Sequence, residues 1–220
     1  MDLVILDLDG TLYSSTATTI GAVTRAVGDL NERHGTAIEE PTGERILSGI
    51  GFAREDFVAR VFPELAEDLR GEMSDLVWRW EHNLICSGEG SLFPGAVEAL
   101  DAMAAEGKTL AVATNAGTGY MNFVLDYFAI RRYFRDVRCA ESEGTRDKSR
   151  LIDVILSSLG ADARAAVMVG DRMSDIDAGL RSGTRTIGCT WGFGTRRELE
   201  EADAVVDRFP ELPPAVRELA

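Results

Sequence analysis

The sequence predicts an α/β fold: a Rossmann-like parallel sheet core with helices on both faces and an inserted α-helical cap domain. Two observations support this prediction. Short apolar, β-rich segments alternate with amphipathic helical segments over most of the chain. One long stretch near the N-terminus breaks this alternation and contains only helical patterns.

Five segments have the length and composition of buried strands. The first is a short apolar run that ends in the turn signal Asp9-Gly10. The third has the weakest pattern of the five. The predicted strands cover residues 3–8, 109–113, 137–140, 166–169 and 184–189.

Four amphipathic helices separate these strands. Glycines at positions 107 and 160 are plausible stop residues for the first and third helix. Ser174 is the predicted N-cap of the fourth, with Asp177 three positions on in a capping-box-like arrangement. The predicted helices cover residues 95–106, 118–129, 149–159 and 175–182.

The inserted stretch holds no convincing strand. Three helices are predicted there, around residues 20–30, 57–62 and 65–80. We therefore expect a catalytic core of residues 1–15 and 90–220 and a helical domain of residues 16–89. The segment 49–54 between two of these helices is either an ordinary turn or a loop that selects the substrate.

Composition narrows the class of protein. Hydrophobic residues make up 45% of the 220 residues and charged residues 27%, which is typical of a folded globular chain. The net charge of −14 disfavours nucleic acid and anionic membranes as partners. There is no basic N-terminal region and no apolar run of the roughly 18 residues that a membrane helix needs. Three widely spaced cysteines suggest a reducing compartment, so we expect a cytoplasmic protein.

Polar residues that a buried strand does not need stand at the ends of the first, second and fourth predicted strands. Because the carboxyl ends of parallel strands meet at one edge of a sheet, we expect these residues to lie close together. Asp7 and Asp9, two positions apart in an extended chain, would point the same way. The candidate site consists of Asp7, Asp9, Thr114, Asn115, Lys148, Asp171 and Asp175.

The carboxylates of this site would repel one another. Two of them ~4 Å apart cost about 4 kcal/mol at an effective dielectric of about 20, so the cluster favours a divalent cation. Oxygen ligands without His or Cys point to Mg²⁺ as the cofactor. Taken singly, Asp9-Gly10 is a common turn and Lys148 a common surface residue. Those separate explanations do not account for polar residues at successive strand ends.

Together these motifs resemble the haloacid dehalogenase-like hydrolases. Four motifs occur in chain order, with a helical insertion after the first, and the resemblance spans nearly the whole chain. Leu92-Phe-Pro-Gly95 and Trp191-Gly-Phe-Gly194 are similar to segments of the phosphoglycolate phosphatase-like members. The four motifs are Asp7-x-Asp9-Gly10-Thr11, Thr114, Lys148 and Gly170-Asp171-x-x-x-Asp175.

The resemblance implies a Mg²⁺-dependent phosphatase that hydrolyses a small, phosphoglycolate-like phosphomonoester through an aspartyl-phosphate. Asp7 would be the nucleophile, and Asp9 the general acid and then the general base. An Asp at the second motif position marks phosphoryl transfer rather than dehalogenation. The implied metal ligands are Asp7, Asp9 through its backbone carbonyl, Asp171 and Asp175, the last directly or through water. The implied phosphate-binding residues are Thr114, Asn115 and Lys148.

Three positions depart from the pattern of these relatives and leave the substrate open. Ala116-Gly117 stands where a basic residue is common, and Ser149 stands where proline is common. Arg172 stands where Ser or Thr is common, and would either contact an anionic substrate or pair with surface acids. A sugar phosphomutase, a pyrophosphatase and a nucleotidase are alternatives on the same scaffold. A non-catalytic phosphate-binding module is a further alternative.

Overall fold

The computed structural model describes residues 1–219 and divides into two compact units. One unit comprises Met1–Tyr13 and the chain from Leu92 onwards, and the other comprises Ser14–Ser91. These limits differ by two residues at each junction from the predicted domain limits. The function of the second unit as a cap stays a prediction.

The strands of the first unit form one parallel sheet, which the sequence pattern predicted. The strands, in chain order, are β1 Leu3–Leu6, β2 Tyr13–Ser14, β3 Ser91–Leu92, β4 Thr109–Thr114, β5 Phe134–Cys139, β6 Ala166–Gly170, β7 Arg185–Cys189 and β8 Ala204–Val206. The sheet order is β5-β4-β1-β6-β7-β8, and β2 pairs with β3 in a separate two-stranded sheet. The first strand therefore lies between β4 and β6, the two other strands predicted to carry site residues.

The helices alternate with the strands in the first unit and follow one another directly in the second. They are α1 Thr16–His34, α2 Gly43–Gly49, α3 Arg54–Val61, α4 Glu67–Cys86, α5 Ala96–Ala105, α6 Thr118–Tyr127, α7 Lys148–Leu159, α8 Met173–Arg181 and α9 Leu212–Glu218. Short 3₁₀ turns lie at Arg131–Tyr133, Ala163–Ala165, Arg196–Leu199 and Phe209–Glu211.

Both faces of the sheet are buried, which explains the unbroken apolar run of β1. Leu3 and Ile5 pack against residues of α7 on one face. Val4 and Leu6 alternate with them and are fully buried on the other face. A strand covered on both faces cannot show the apolar–polar alternation of a half-exposed strand.

The helical unit has a core of its own. Apolar residues of α1, α3 and α4 pack together there, including Val23, Leu30 and Met73. The structure adds α2, which the sequence pattern did not predict. This seven-residue helix buries Ile46 as its only large apolar side chain, too few for a detectable period.

Some predicted boundaries were wrong. Helix α8 begins at Met173, so Ser174 lies inside it, and Arg172 is the residue before the first turn. Asp175, not Asp177, caps this end, since its Oδ2 accepts the backbone N–H of Arg172 at 2.9 Å. Strand β8 and helix α9 were not predicted. Strand β8 has only three residues, and α9 opens with two prolines that mask its helical pattern.

Within residues 1–219, no helix combines the length and hydrophobicity that crossing a bilayer requires. Cys86, Cys139 and Cys189 are free thiols.

Candidate active site

Three neighbouring strands deliver polar residues to one edge of the sheet. Asp7 and Asp171 directly follow β1 and β6, and Thr114 is the last residue of β4. The register pairs Leu6 of β1 with Val112 of β4 and Val169 of β6, so the three strands end close to one another at this edge. The geometry that the sequence predicted for these strand ends is therefore present.

The carboxylates of Asp7, Asp171 and Asp175 form one buried group. Each offers an oxygen within 4.8 Å of the others, and none of the three residues is more than 2% exposed. Lys148, the first residue of α7, is also buried. Its Nζ lies 2.9 Å from Asp7 Oδ1 and is hydrogen-bonded to Asp175 Oδ1. One ammonium group thus bridges two of the three acids.

The charges of this group are strongly coupled. Burial raises the pKa of the Asp7 carboxyl to about 8; Lys148 opposes the rise, and the two neighbouring aspartates add to it. Burial and Asp175 raise the pKa of Asp171 to about 7. Burial opposes the charge on Lys148, but Asp175 and Asp7 outweigh it and raise the pKa of that lysine above its ordinary value. Protons would therefore bind the acids at neutral pH unless another cation took their place.

This donor set fits a divalent metal ion. With all three carboxylates ionised, Lys148 neutralises one charge and leaves two uncompensated, which a divalent cation would balance. The ligands are oxygens without a nearby His or Cys of suitable geometry in residues 1–219, which suits Mg²⁺ rather than zinc.

Asp171 is held by two donors that the sequence analysis did not identify. Its Oδ1 accepts the Thr11 hydroxyl at 3.1 Å, and its Oδ2 accepts the Phe193 backbone N–H at 2.7 Å. The loop that carries Phe193 approaches closely, since a Cβ on Gly194 would lie 1.9 Å from the Asp171 carbonyl oxygen. The glycines around position 193 were a usable signal, because glycine is required where two backbones touch.

Asp9 lies in a tight turn beside this group. Gly10 has a left-handed φ of 84°, and its N–H donates to the Tyr13 carbonyl at 2.9 Å. The half-buried side chain of Asp9 accepts the Tyr120 hydroxyl at 2.6 Å on Oδ1. Its carboxylate is not a member of the Asp7–Asp171–Asp175 group. No pattern in the sequence pointed to Tyr120.

The remaining predicted residues lie near the ends of β4 and β6. Thr114 is buried, and its hydroxyl accepts the Ala116 backbone N–H at 3.2 Å. Asn115 follows it and is half-buried. Arg172 pairs with Glu198 at 3.4 Å, which favours the surface-acid interpretation of this unusual residue.

Sequence comparison identifies the family. A family model described as haloacid dehalogenase-like hydrolase matches residues 4–189. The chain belongs to this family.

Relatives of this haloacid dehalogenase-like hydrolase carry phosphatase names. A phosphoglycolate phosphatase of Agrobacterium fabrum is 28% identical, covering 98% of this chain and 92% of the relative. The probable phosphatase IndB of Dickeya dadantii is 30% identical (99% and 94%), and a 5′-nucleotidase of Pseudomonas aeruginosa is 31% identical (89% and 86%). These similarities make the protein a phosphatase of this family.

A solved structure shows the same fold. The "predicted phosphoglycolate phosphatase" from Haemophilus somnus superimposes with a TM-score of 0.88 at 22% identity, covering 98% of this chain and 97% of the other. The prediction of a Rossmann-like α/β fold is confirmed.

Proposed function

We propose that the protein is a Mg²⁺-dependent phosphatase that hydrolyses a small, phosphoglycolate-like phosphomonoester through an aspartyl-phosphate on Asp7. The observation that carries this proposal is the buried group of three carboxylates, two of which are bridged by one lysine. Burying four ionisable side chains without a ligand to bind is costly, so such a group indicates a reaction centre. Such a group suits phosphoryl transfer, because that reaction depends mainly on positioning the phosphoryl group and neutralising its charge.

Asp7, Asp171 and the backbone carbonyl of Asp9 would hold the magnesium ion. Asp175 fits better as a residue that orients Lys148 and bound water, since its Oδ1 accepts the Lys148 ammonium group and its Oδ2 caps helix α8 at the Arg172 N–H. When bound, the ion would neutralise the acids and polarise the phosphoryl group.

Each residue of the candidate site has its own role in the proposed reaction. Asp7 attacks phosphorus, and the ester P–O bond breaks as the new bond forms. Asp9 donates its proton to the leaving oxygen, and then removes a proton from the water that hydrolyses the aspartyl-phosphate. Lys148, Thr114 and Asn115 would hold the phosphoryl oxygens and balance their charge.

Two relatives bear on the substrate. The Agrobacterium relative is named for phosphoglycolate, and the Pseudomonas relative for a nucleoside 5′-monophosphate activity. We propose a phosphoglycolate-like substrate first and a nucleoside monophosphate second. In either case the helical unit Ser14–Ser91 would act as the cap that selects the leaving group.

Phosphate release distinguishes these functions. The purified chain should be assayed with Mg²⁺ against phosphoglycolate, sugar phosphates, nucleoside monophosphates and pyrophosphate, with Asp7→Asn as the inactive control. We expect release from a small monoester, loss of at least about 10³-fold in Asp7→Asn, and loss on chelation. Interconversion of sugar phosphates with little free phosphate would indicate a mutase instead. Release unaffected by chelation would contradict the magnesium requirement.

A further inference from the structure

The hydroxyl of Tyr120 donates a hydrogen bond to the side chain that the proposed mechanism uses for proton transfer. The distance from Tyr120 Oη to Asp9 Oδ1 is 2.6 Å, within the range of strong O–H···O⁻ bonds. The two residues are 111 positions apart in the chain. They meet because β4 lies beside β1, so the helix after β4 begins next to the turn after β1.

The Tyr120 ring is itself held in place. It makes an edge contact with Tyr13, with ring centroids 6.5 Å apart. Tyr13 is fully buried and packs against Phe128, with centroids 5.4 Å apart. Both contacts lie within the first unit, which comprises Met1–Tyr13 and the chain from Leu92 onwards. The tyrosine hydroxyl is therefore fixed relative to the turn that carries Asp9.

We propose that Tyr120 is a positioning residue for proton transfer by Asp9. This proposal rests on the proposed function, in which Asp9 is the general acid and base. The Tyr120 hydroxyl donates to Oδ1 whether the carboxyl is ionised or protonated, so the proton that Asp9 transfers is carried on Oδ2. That proton passes from Oδ2 to the ester oxygen as the P–O bond breaks. Oδ2 regains a proton from the attacking water as the water oxygen bonds to phosphorus and the bond between phosphorus and Asp7 breaks.

The positioning role predicts a dependence on the leaving group. An alkoxide leaving group needs a proton as it departs, whereas nitrophenolate is stable without one. Tyr120→Phe keeps the ring and removes the hydroxyl. We expect this variant to lower kcat/KM by about tenfold on phosphoglycolate and by about twofold or less on 4-nitrophenyl phosphate. The comparison uses kcat/KM because it covers the steps up to the first phosphoryl transfer, in which the leaving groups differ, whereas hydrolysis of the aspartyl-phosphate on Asp7 is the same for both substrates.

Tyr127→Phe is the matched control, since Tyr127 lies on the same helix with its side chain largely exposed. It should leave both rates unchanged. Asp9→Asn is the reference, and its loss should also be larger for phosphoglycolate. A purely structural effect of Tyr120→Phe would lower both rates equally, and this result, or no change in either rate, would overturn the proposal.

Two other outcomes would overturn more than the role of Tyr120. If Asp9→Asn shows no dependence on the leaving group, Asp9 is not the general acid, and both its assigned role and that of Tyr120 are wrong. If the wild-type protein hydrolyses neither substrate nor any other phosphomonoester with Mg²⁺, the proposed function falls, and the role of Tyr120 with it.

Discussion

Replacing Lys148 by methionine tests the electrostatics of the acidic group directly. Its ammonium group is nearly inaccessible and pairs with Asp7 and Asp175. Removing one member of a buried ion pair costs about 3–5 kcal/mol, because the remaining charge stays buried without a partner. We therefore expect Lys148→Met to lower the free energy of unfolding by about this amount in metal-free protein above neutral pH.

The loss should depend on pH in a definite direction. Burial already raises the pKa of Asp7 from 3.8 to about 8, so the stability linked to its protonation is present at acidic pH and lost as pH rises through about 8. Lys148 opposes this shift, so its removal raises the pKa of Asp7 further. The variant can then relieve its unpaired charge by taking up a proton at low pH. Its destabilisation should be smaller at about pH 6 than at about pH 9.

Urea unfolding with a chelator at both pH values measures this effect. The chain has one other lysine, Lys108, which is partly exposed, and Lys108→Met is the matched control. It should change the free energy of unfolding by about 0.5 kcal/mol or less at either pH. A Lys148→Met loss that is independent of pH, or no larger than that of Lys108→Met, would refute the charge balance described above.

Three further predictions concern the carboxylates that are proposed to bind the metal ion. Thr11→Val removes a buried donor to Asp171. It should therefore lower the free energy of unfolding, measured with urea, by about 1–3 kcal/mol, and weaken Mg²⁺ binding measured by calorimetry. Unchanged Mg²⁺ affinity would contradict a role for this bond. Gly194→Ala places a methyl group against the Asp171 backbone and should lower both Tm and activity, whereas Gly28→Ala, which meets no atom within 4 Å, should stabilise α1 by about 0.5–1 kcal/mol. Mg²⁺ affinity should rise as pH increases through about 7 to 8, because the ion displaces protons from Asp171 and Asp7. Calorimetry in two buffers of different ionisation enthalpy would detect the released protons. An affinity independent of pH would rule this displacement out.

The strand ends could be predicted from the sequence because an unbroken apolar run and a polar residue meet there. A parallel strand buried on both faces must be apolar throughout, so the polar residue that follows it marks its end. Asp7, Thr114 and Asp171 were found in this way, and the sheet order then brings their strands together. Lys148 was predicted at the start of its helix because a helical period follows it directly.

The contacts that complete the site could not be predicted in this way. Tyr120 reaches Asp9 and Phe193 reaches Asp171 through loops and helix starts, whose paths are set by packing and not by a residue period. The Phe193 contact uses a backbone N–H, so the only signal for it lies in the neighbouring glycines and not in its own side chain. The start of α8 was misplaced for a related reason: Ser174 has the residue type of an N-cap, but Asp175 reaches back to the Arg172 amide.

The hydrogen bonds of the three acids set Asp7 apart from the other two. Asp171 accepts donors on both oxygens, and so does Asp175, so these carboxylates are fixed in place. The Oδ1 atom of Asp7 is just as buried, but its neighbour is the Lys148 ammonium group at 2.9 Å, and within residues 1–219 no backbone N–H or hydroxyl donates to it. A nucleophile needs a lone pair that is not already committed to a donor, whereas a metal ligand benefits from being held rigidly. These surroundings of Oδ1 agree with the proposal that Asp7 is the group that attacks phosphorus.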